Sequence, residues 1–242
     1  MADLWQTARD CAVRWSLELE EPLASDSSLV IPAGDVVLKV NADWHFETEF
    51  EADALELYDG GGAVRLIARD DERRAFLIER CRPGTRLWDA EEDEIKVVSA
   101  LLPRLSVESE EPRPFRALAD EADRWAEEVP RRHPDSPVLD AAVEVFRSVD
   151  RGARHLVNQD LHGGNVLRAE REPWLVIDPK PLVGEREIDG VGLLRNAEDP
   201  TLWLDALAGL GYNRERAWAW GFAHALAWDN LAEAERIYSA RG

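Results

Sequence analysis

Apolar positions fall in short runs over the first 79 residues and at helical spacing beyond them. Leu4, Ala8, Cys11, Ala12 and Trp15 make one face of an opening helix. Leu17-Glu18-Leu19 and Leu29-Val30-Ile31 read as strands around the polar stretch Ala24-Ser25-Asp26-Ser27-Ser28. Val36-Val37-Leu38-Lys39-Val40 follows a turn at Gly34-Asp35, and a helical stretch is predicted from Phe46 to Tyr58. Asp59-Gly60-Gly61-Gly62 stops that helix and turns into a strand from Ala63 to Ala68. Ala75-Phe76-Leu77-Ile78-Glu79 is another strand, broken by Pro83 and Gly84. Helical faces follow: Ile95, Val98, Leu101, Leu102 and Leu105 until Pro103 disturbs them, then Leu118, Ala122, Trp125 and Val129, then Val138 to Val149. The loop from Ser106 to Pro114 separates the first two. Trp203, Trp218, Trp220 and Trp228 at helical spacing read mostly as core. Strands first and helices afterwards give an α+β class, with residues 1–79 mostly β and residues 80–242 mostly α.

Charge narrows the partners. With 49 acidic and 29 basic residues in 242, the net charge is −20, which excludes nucleic acid as a partner because phosphates need a basic face. The same acidity would attract a cationic small molecule, or would simply keep the surface solvated. Cys11 and Cys81 match no metal spacing and fit a reducing compartment. Met1-Ala2-Asp3-Leu4-Trp5 lacks the features of a signal peptide. The most apolar run, Ala217 to Trp228, is too short for a membrane span. The expectation is a cytoplasmic protein with neither membrane nor nucleic acid as partner; its oligomeric state is open, with a monomer favoured.

The chemistry concentrates between His155 and Pro181: HLVNQDLHGGNVLRAEREPWLVIDPKP. Asp160 and Asn165 bracket four residues, the spacing of a kinase catalytic loop, and Asp178 ends the apolar run Leu175-Val176-Ile177. A carboxylate suits the proton of an attacking hydroxyl. An amide oxygen and a second carboxylate suit magnesium beside nucleotide phosphates. Lys39, among four apolar neighbours, needs anionic partners because an unpaired buried ammonium is costly. The remaining option for it is an edge strand facing water.

Asp160-Leu161-His162-Gly163-Gly164-Asn165 resembles the core motif of the aminoglycoside phosphotransferase family. The longer stretch Trp174 to Glu187 is similar to its streptomycin 6-kinase and hydroxyurea kinase branch. The resemblance implies a two-lobed protein-kinase-like fold using ATP and Mg2+. It implies that Asp160 orients and deprotonates the acceptor hydroxyl, that Asn165 and Asp178 hold the metal, and that Lys39 holds the α and β phosphates. Glu51 is the chosen partner of Lys39, and Glu47 competes because one sequence does not fix the helix register. Ser27 and Ser28, with nearby backbone amides, would face the phosphates, or the hairpin is an ordinary turn. The resemblance also implies a nucleotide-binding lobe over residues 1–79, a catalytic and acceptor-binding lobe over residues 80–242, and a hinge near 80–84, where backbone groups near Glu79 to Cys81 would meet adenine.

On the acceptor side, Glu185, Glu187 and Asp189 could neutralise amino or guanidino groups, Asp189 serving equally as a helix cap. Asp229 and Glu233 either line an acceptor pocket or sit on a solvated helix face. Asn158 stands where many kinases have histidine, and Asp178-Pro179-Lys180 replaces Asp-Phe-Gly, so no phenylalanine switch is expected. His162 reads as a structural histidine, since no second metal ligand stands at a suitable spacing. The expected function is ATP-dependent phosphorylation of a small-molecule hydroxyl, an aminoglycoside such as streptomycin first. The alternatives are a kinase of hydroxyurea or another metabolite, and a kinase-like protein that binds without catalysis.

Overall fold

The computed structural model describes residues 2–25, 28–44, 48–108 and 115–241. Helix α1 (Ala2–Trp15) leads to an antiparallel sheet of β1 (Ser28–Ala33), β2 (Val36–Asn41), β3 (Leu66–Asp70) and β4 (Ala75–Glu79). The spatial order is β1-β2-β4-β3. Side chains alternate across β2. Leu38 and Val40 meet Ala8 and Cys11 of α1 in a small outer core, while Val37 joins the main core on the inner face. Lys39 shares that inner face and is only 5% exposed. Helix α2 (Glu51–Tyr58) covers it with Ala52, Leu55 and Tyr58.

Three local readings change. Leu17–Leu19 forms no strand: the Glu20 amide bonds the Pro32 carbonyl and Leu23 bridges to Val30, while Leu17 and Leu19 pack against the α1 core. Helix α2 starts at Glu51, and Phe46 and Glu47 lie outside the described residues. The strand expected from Ala63 begins instead at Leu66. Ala63 and Val64 are fully buried against β8 (Trp174–Val176), with the Val64 amide donating to the Val176 carbonyl at 3.0 Å. The Gly60–Gly62 turn therefore docks one region onto the other, with positive φ at Gly60 and Gly62.

Helices dominate beyond Glu79: α3 (Glu94–Leu105), α4 (Leu118–Arg132), α5 (Leu139–Arg147), α6 (Val191–Asn196), α7 (Pro200–Gly209), α8 (Arg214–Ala227) and α9 (Leu231–Ser239). Helix α3 continues past Pro103 because a proline so near the end removes one amide only, and Leu105 is anchored in the core. Short strands carry the loops of interest. β5 (Val107–Glu108), β6 (His155–Asn158) and β9 (Pro181–Gly184) form one sheet, and β7 (Val166–Arg168) pairs with β8. Trp203, Trp218 and Trp220 are buried, and α8 is buried around nearly all its circumference, as its all-round apolar sequence requires. No helix among the described residues is long and apolar enough to cross a membrane.

Candidate active site

The loop after β6 is pinned from two sides. The Asn158 carboxamide oxygen accepts the amides of Asp160 (3.1 Å) and Lys180 (3.0 Å), tying the loop to the segment after Asp178. The Asn158 amide donates to Asp189 at 2.8 Å. Gly163 and Gly164 are needed for close approach: a Cβ on either would come within 2.7 Å of the Trp88 ring. Trp88 stacks on His162 with centroids 4.7 Å apart, and Glu94 accepts the Gly163 amide at 2.8 Å. His162 Nδ1 accepts from the Gly164 amide, so the neutral ring carries its proton on Nε2, which points toward Asp160 at 3.8 Å. Burial holds this histidine below its ordinary pKa.

The charged residues form one alternating series. Lys39 Nζ bonds Glu51 at 2.7 Å and Asp178 Oδ1 at 2.7 Å. Lys180 Nζ lies 3.9 Å from Asp178 Oδ2 and is ion-paired to Asp160 Oδ2. Arg195 pairs with Asp160 Oδ1. The order Glu51, Lys39, Asp178, Lys180, Asp160, Arg195 thus alternates in sign from the β sheet to α6. Burial opposes the Lys39 charge, but Asp178 and Glu51 outweigh it and hold the ammonium above its usual range. Burial pushes the Glu51 carboxyl up, to about 7, against the pull of Lys39. Asp178 sits at φ +51°, a conformation that disfavours non-glycine residues, and its ion pairs hold it there.

Asn165 donates its side-chain amide to the Asp160 carbonyl at 3.1 Å, and its amide oxygen is the atom that could serve as a ligand. With the Asp178 carboxylate, about a third exposed, this is a hard oxygen donor set suited to Mg2+ completed by phosphates and water. Among the described residues no cluster of three or more His, Cys, Asp or Glu could hold a metal by itself.

At the hinge, the Glu79 amide donates to Arg65 and the Arg80 amide to Asp35, whereas the Cys81 amide has no hydrogen-bond partner among the described residues. The Glu79 carboxylate is taken by Arg171, which also bonds the Gly60 and Ala63 carbonyls and so locks the two regions together. Burial pushes the Cys81 thiol up to about 12, so it is unreactive near neutrality. Ser27 lies outside the described residues, as does Glu47. Ser28 differs from expectation: its hydroxyl donates to Asn41 Oδ1 at 2.7 Å, and Asn41 in turn donates to Glu51. It buttresses the Lys39 partner instead of facing phosphates.

The acceptor carboxylates need correction. Glu185 is buried and receives the Asp150 amide, Arg216 and Trp220 Nε1. Burial would raise its pKa, but these donors keep it below the ordinary range. Glu187 accepts the Asn213 amide at the start of α8. Asp189 makes no cap at the start of α6: buried, it accepts the Asn158 amide and the Tyr212 hydroxyl. Burial pushes it up to about 7 against those two bonds. Asp229 is committed to Arg132 (2.5 Å) and His133 (2.7 Å). Glu233, half-buried in the first turn of α9, makes no ion pair among the described residues.

Sequence reasoning missed Lys180, Arg195 and Trp228 as site residues. Lys180 was visible in the motif but given no role. Arg195 reaches Asp160 because α6 packs directly on the loop: a Cβ on Gly192 would come 2.4 Å from the Leu161 carbonyl oxygen. Trp228 is only half-buried and lies under the Arg195 guanidinium at 4.6 Å.

A family model described as aminoglycoside/hydroxyurea antibiotic resistance kinase matches residues 14–230. Streptomycin 6-kinase of Streptomyces glaucescens is 37% identical over 191 residues, 73% of this chain and 62% of the relative. Hydroxyurea phosphotransferase of Kitasatospora aureofaciens is 34% identical over 229 residues, 86% of this chain and 66% of the relative. The chain thus spans less than two thirds of the length of these curated relatives. The solved GDP complex of aminoglycoside 2'-phosphotransferase-IIIa superposes with a TM-score of 0.66 at 15% identity, covering 98% of each chain. The fold is the two-lobed, protein-kinase-like one.

Proposed function

The chain belongs to the aminoglycoside/hydroxyurea antibiotic resistance kinase family, and from that premise we propose that it transfers the γ-phosphoryl group of ATP to a small-molecule hydroxyl. The acceptor class we favour is an aminoglycoside such as streptomycin, the substrate named for two relatives above one third identity. The observation that carries the reading is the alternating series from Glu51 to Arg195. It links the residues suited to phosphates with a carboxylate suited to an acceptor hydroxyl.

In this reading the Cys81 amide hydrogen-bonds adenine, and Lys39, fixed by Glu51, neutralises the α and β phosphates. Asn165 and Asp178 would hold Mg2+, which would supply positive charge to offset that of the phosphates. Asp160 accepts the hydrogen bond of the acceptor hydroxyl and takes its proton as the new O–P bond forms. Helix α6 and Asp189 hold the loop, so that alignment is set before the acceptor arrives. Since Glu185, Glu187 and Asp189 bond within the scaffold and Asp229 pairs with Arg132 and His133, a cationic acceptor in this reading draws on Glu233 and the face of Trp228, or displaces one partner of Asp229. Dependence on ATP also assigns the protein to the cytoplasm.

The test is ATP consumption with magnesium over streptomycin, other aminoglycosides, hydroxyurea and simple sugars, beside Asp160→Asn. Turnover on streptomycin, reduced about 10²- to 10⁴-fold in the variant, is expected. Turnover on hydroxyurea alone would replace the acceptor, and no turnover on any acceptor would defeat the reading.

A further inference from the structure

We propose that Lys180 is a catalytic residue, the cation that accompanies the phosphoryl group from ATP to the acceptor while holding Asp160 in place. This rests on the kinase reading above and goes beyond it. The backbone of Lys180 is fixed on both sides of the residue. Its amide donates to Asn158 Oδ1 at 3.0 Å, and its carbonyl accepts the Gln159 amide at 3.2 Å. The side chain, 12% exposed, brings Nζ to Asp160 Oδ2 and within 3.9 Å of Asp178 Oδ2.

That position is a chemical crossroads. The acceptor oxygen must lie within hydrogen-bond reach of Asp160, and the donor phosphate on the Asp178 side. A phosphoryl group passing between them travels alongside Nζ. The other cations are placed elsewhere. Lys39 is held between Glu51 and Asp178, and Arg195 binds the other oxygen of Asp160 against Trp228. His162 is pinned under Trp88, its Nδ1 accepting from Gly164, so its ring is neutral. Lys180 Nζ is paired with Asp160 and stands 3.9 Å from Asp178, and so bridges the two carboxylates with a positive charge.

In the transfer, the acceptor O–H gives its proton to Asp160 and its oxygen bonds to the γ phosphorus. The bond from that phosphorus to the β,γ-bridging oxygen breaks, and ADP leaves with the electron pair. Charge spreads over the three equatorial oxygens of the moving group. The Lys180 ammonium keeps its protons throughout and offsets that charge. It also screens the phosphoryl group from the Asp160 carboxylate, which would otherwise repel it. A lysine suits the task as a compact point charge on a flexible stem, in a chain that uses only three lysines against 26 arginines.

The test needs no acceptor for its first arm. Calorimetric affinities for magnesium-ADP and for a magnesium-bound, non-hydrolysable ATP analogue are compared in wild type, Lys180→Met and Lys180→Arg. Lys180→Met should bind ADP within about twofold of wild type yet lose roughly tenfold of its preference for the analogue, a hydrogen bond to a charged group. On whichever acceptor the wild type uses, kcat should fall about 10²- to 10³-fold, with part restored in Lys180→Arg. An unchanged analogue preference, or equal loss of ADP and analogue binding, overturns the proposal. Should Lys180→Met not fold, Lys180→Gln replaces it under the same criteria. A wild type that binds neither nucleotide overturns the kinase reading and this inference together. A wrong acceptor leaves the binding arm standing.

Discussion

Two ion-pair centres face each other across the cleft with inverted composition. At one, the cation Lys39 lies between two carboxylates, Glu51 and Asp178; at the other, the carboxylate Asp160 lies between two cations, Lys180 and Arg195. A buried charge held on both sides is fixed in position and its desolvation is offset by its neighbours. In the proposed reading, the first centre fixes a cation for the phosphates and the second fixes a base for the acceptor hydroxyl. Asp178 belongs to the first and, at 3.9 Å from Lys180, touches the second. The contrast between them can be broken one partner at a time.

Glu51→Ala should have the largest effect. It leaves Lys39 with one carboxylate fewer in a fully buried position, and breaking a buried pair costs about 3–5 kcal/mol. Denaturant unfolding should show that loss.

The two centres were not equally legible. An isolated lysine in an apolar strand asks for an anionic partner, and the family resemblance favoured Glu51 over Glu47; the ion pair formed is with Glu51. Asp160 and Asn165 stood out because one local loop sets their spacing, and Asp178 because it ends the short apolar run begun in the β7–β8 hairpin. Arg195 did not: its contact depends on α6 lying against Leu161, which only the absence of a Cβ at Gly192 permits. The acceptor carboxylates misled because acidic residues on a short stretch look available, whereas burial makes Glu185 and Asp189 partners of backbone amides and core polar groups. The strand at Leu17–Leu19 failed for a similar reason, apolar alternation being satisfied by packing on α1 without a ladder.

Asp189 distinguishes the centres by pH. Of the two centres it supports the Asp160 one, through Asn158, while also accepting the Tyr212 hydroxyl, and its folded pKa is about 7 against an ordinary 3.8. The native state therefore keeps a proton that the unfolded state has lost. Its contribution is full below pH 3.8 and disappears as pH rises through about 7. Relative to Asp189→Asn, wild-type stability should fall by up to about 4 kcal/mol across that window and then level off. Parallel unfolding curves for the two proteins from pH 4 to pH 8 measure this, and a constant difference would contradict the assignment.

Gly192→Ala is expected to act on one centre only. A Cβ 2.4 Å from the Leu161 carbonyl must displace the loop that carries Asp160. Displacement of about 1 Å costs on the order of 10²-fold in kcat, while ADP affinity should stay within about twofold. Arg195→Ala is smaller still. Asp160 keeps Lys180, so the expected loss is about tenfold in kcat/KM for the acceptor, with KM for ATP unmoved.

The account rests on the two centres doing separable work, and calorimetric titration of magnesium-ADP into Lys39→Met and Asp160→Asn tests this most directly. Lys39→Met should weaken binding at least about tenfold, the loss of a charged contact to phosphate. Asp160→Asn should bind within about twofold of wild type. Equal weakening in both variants, or a normal affinity in Lys39→Met, would contradict the division of labour.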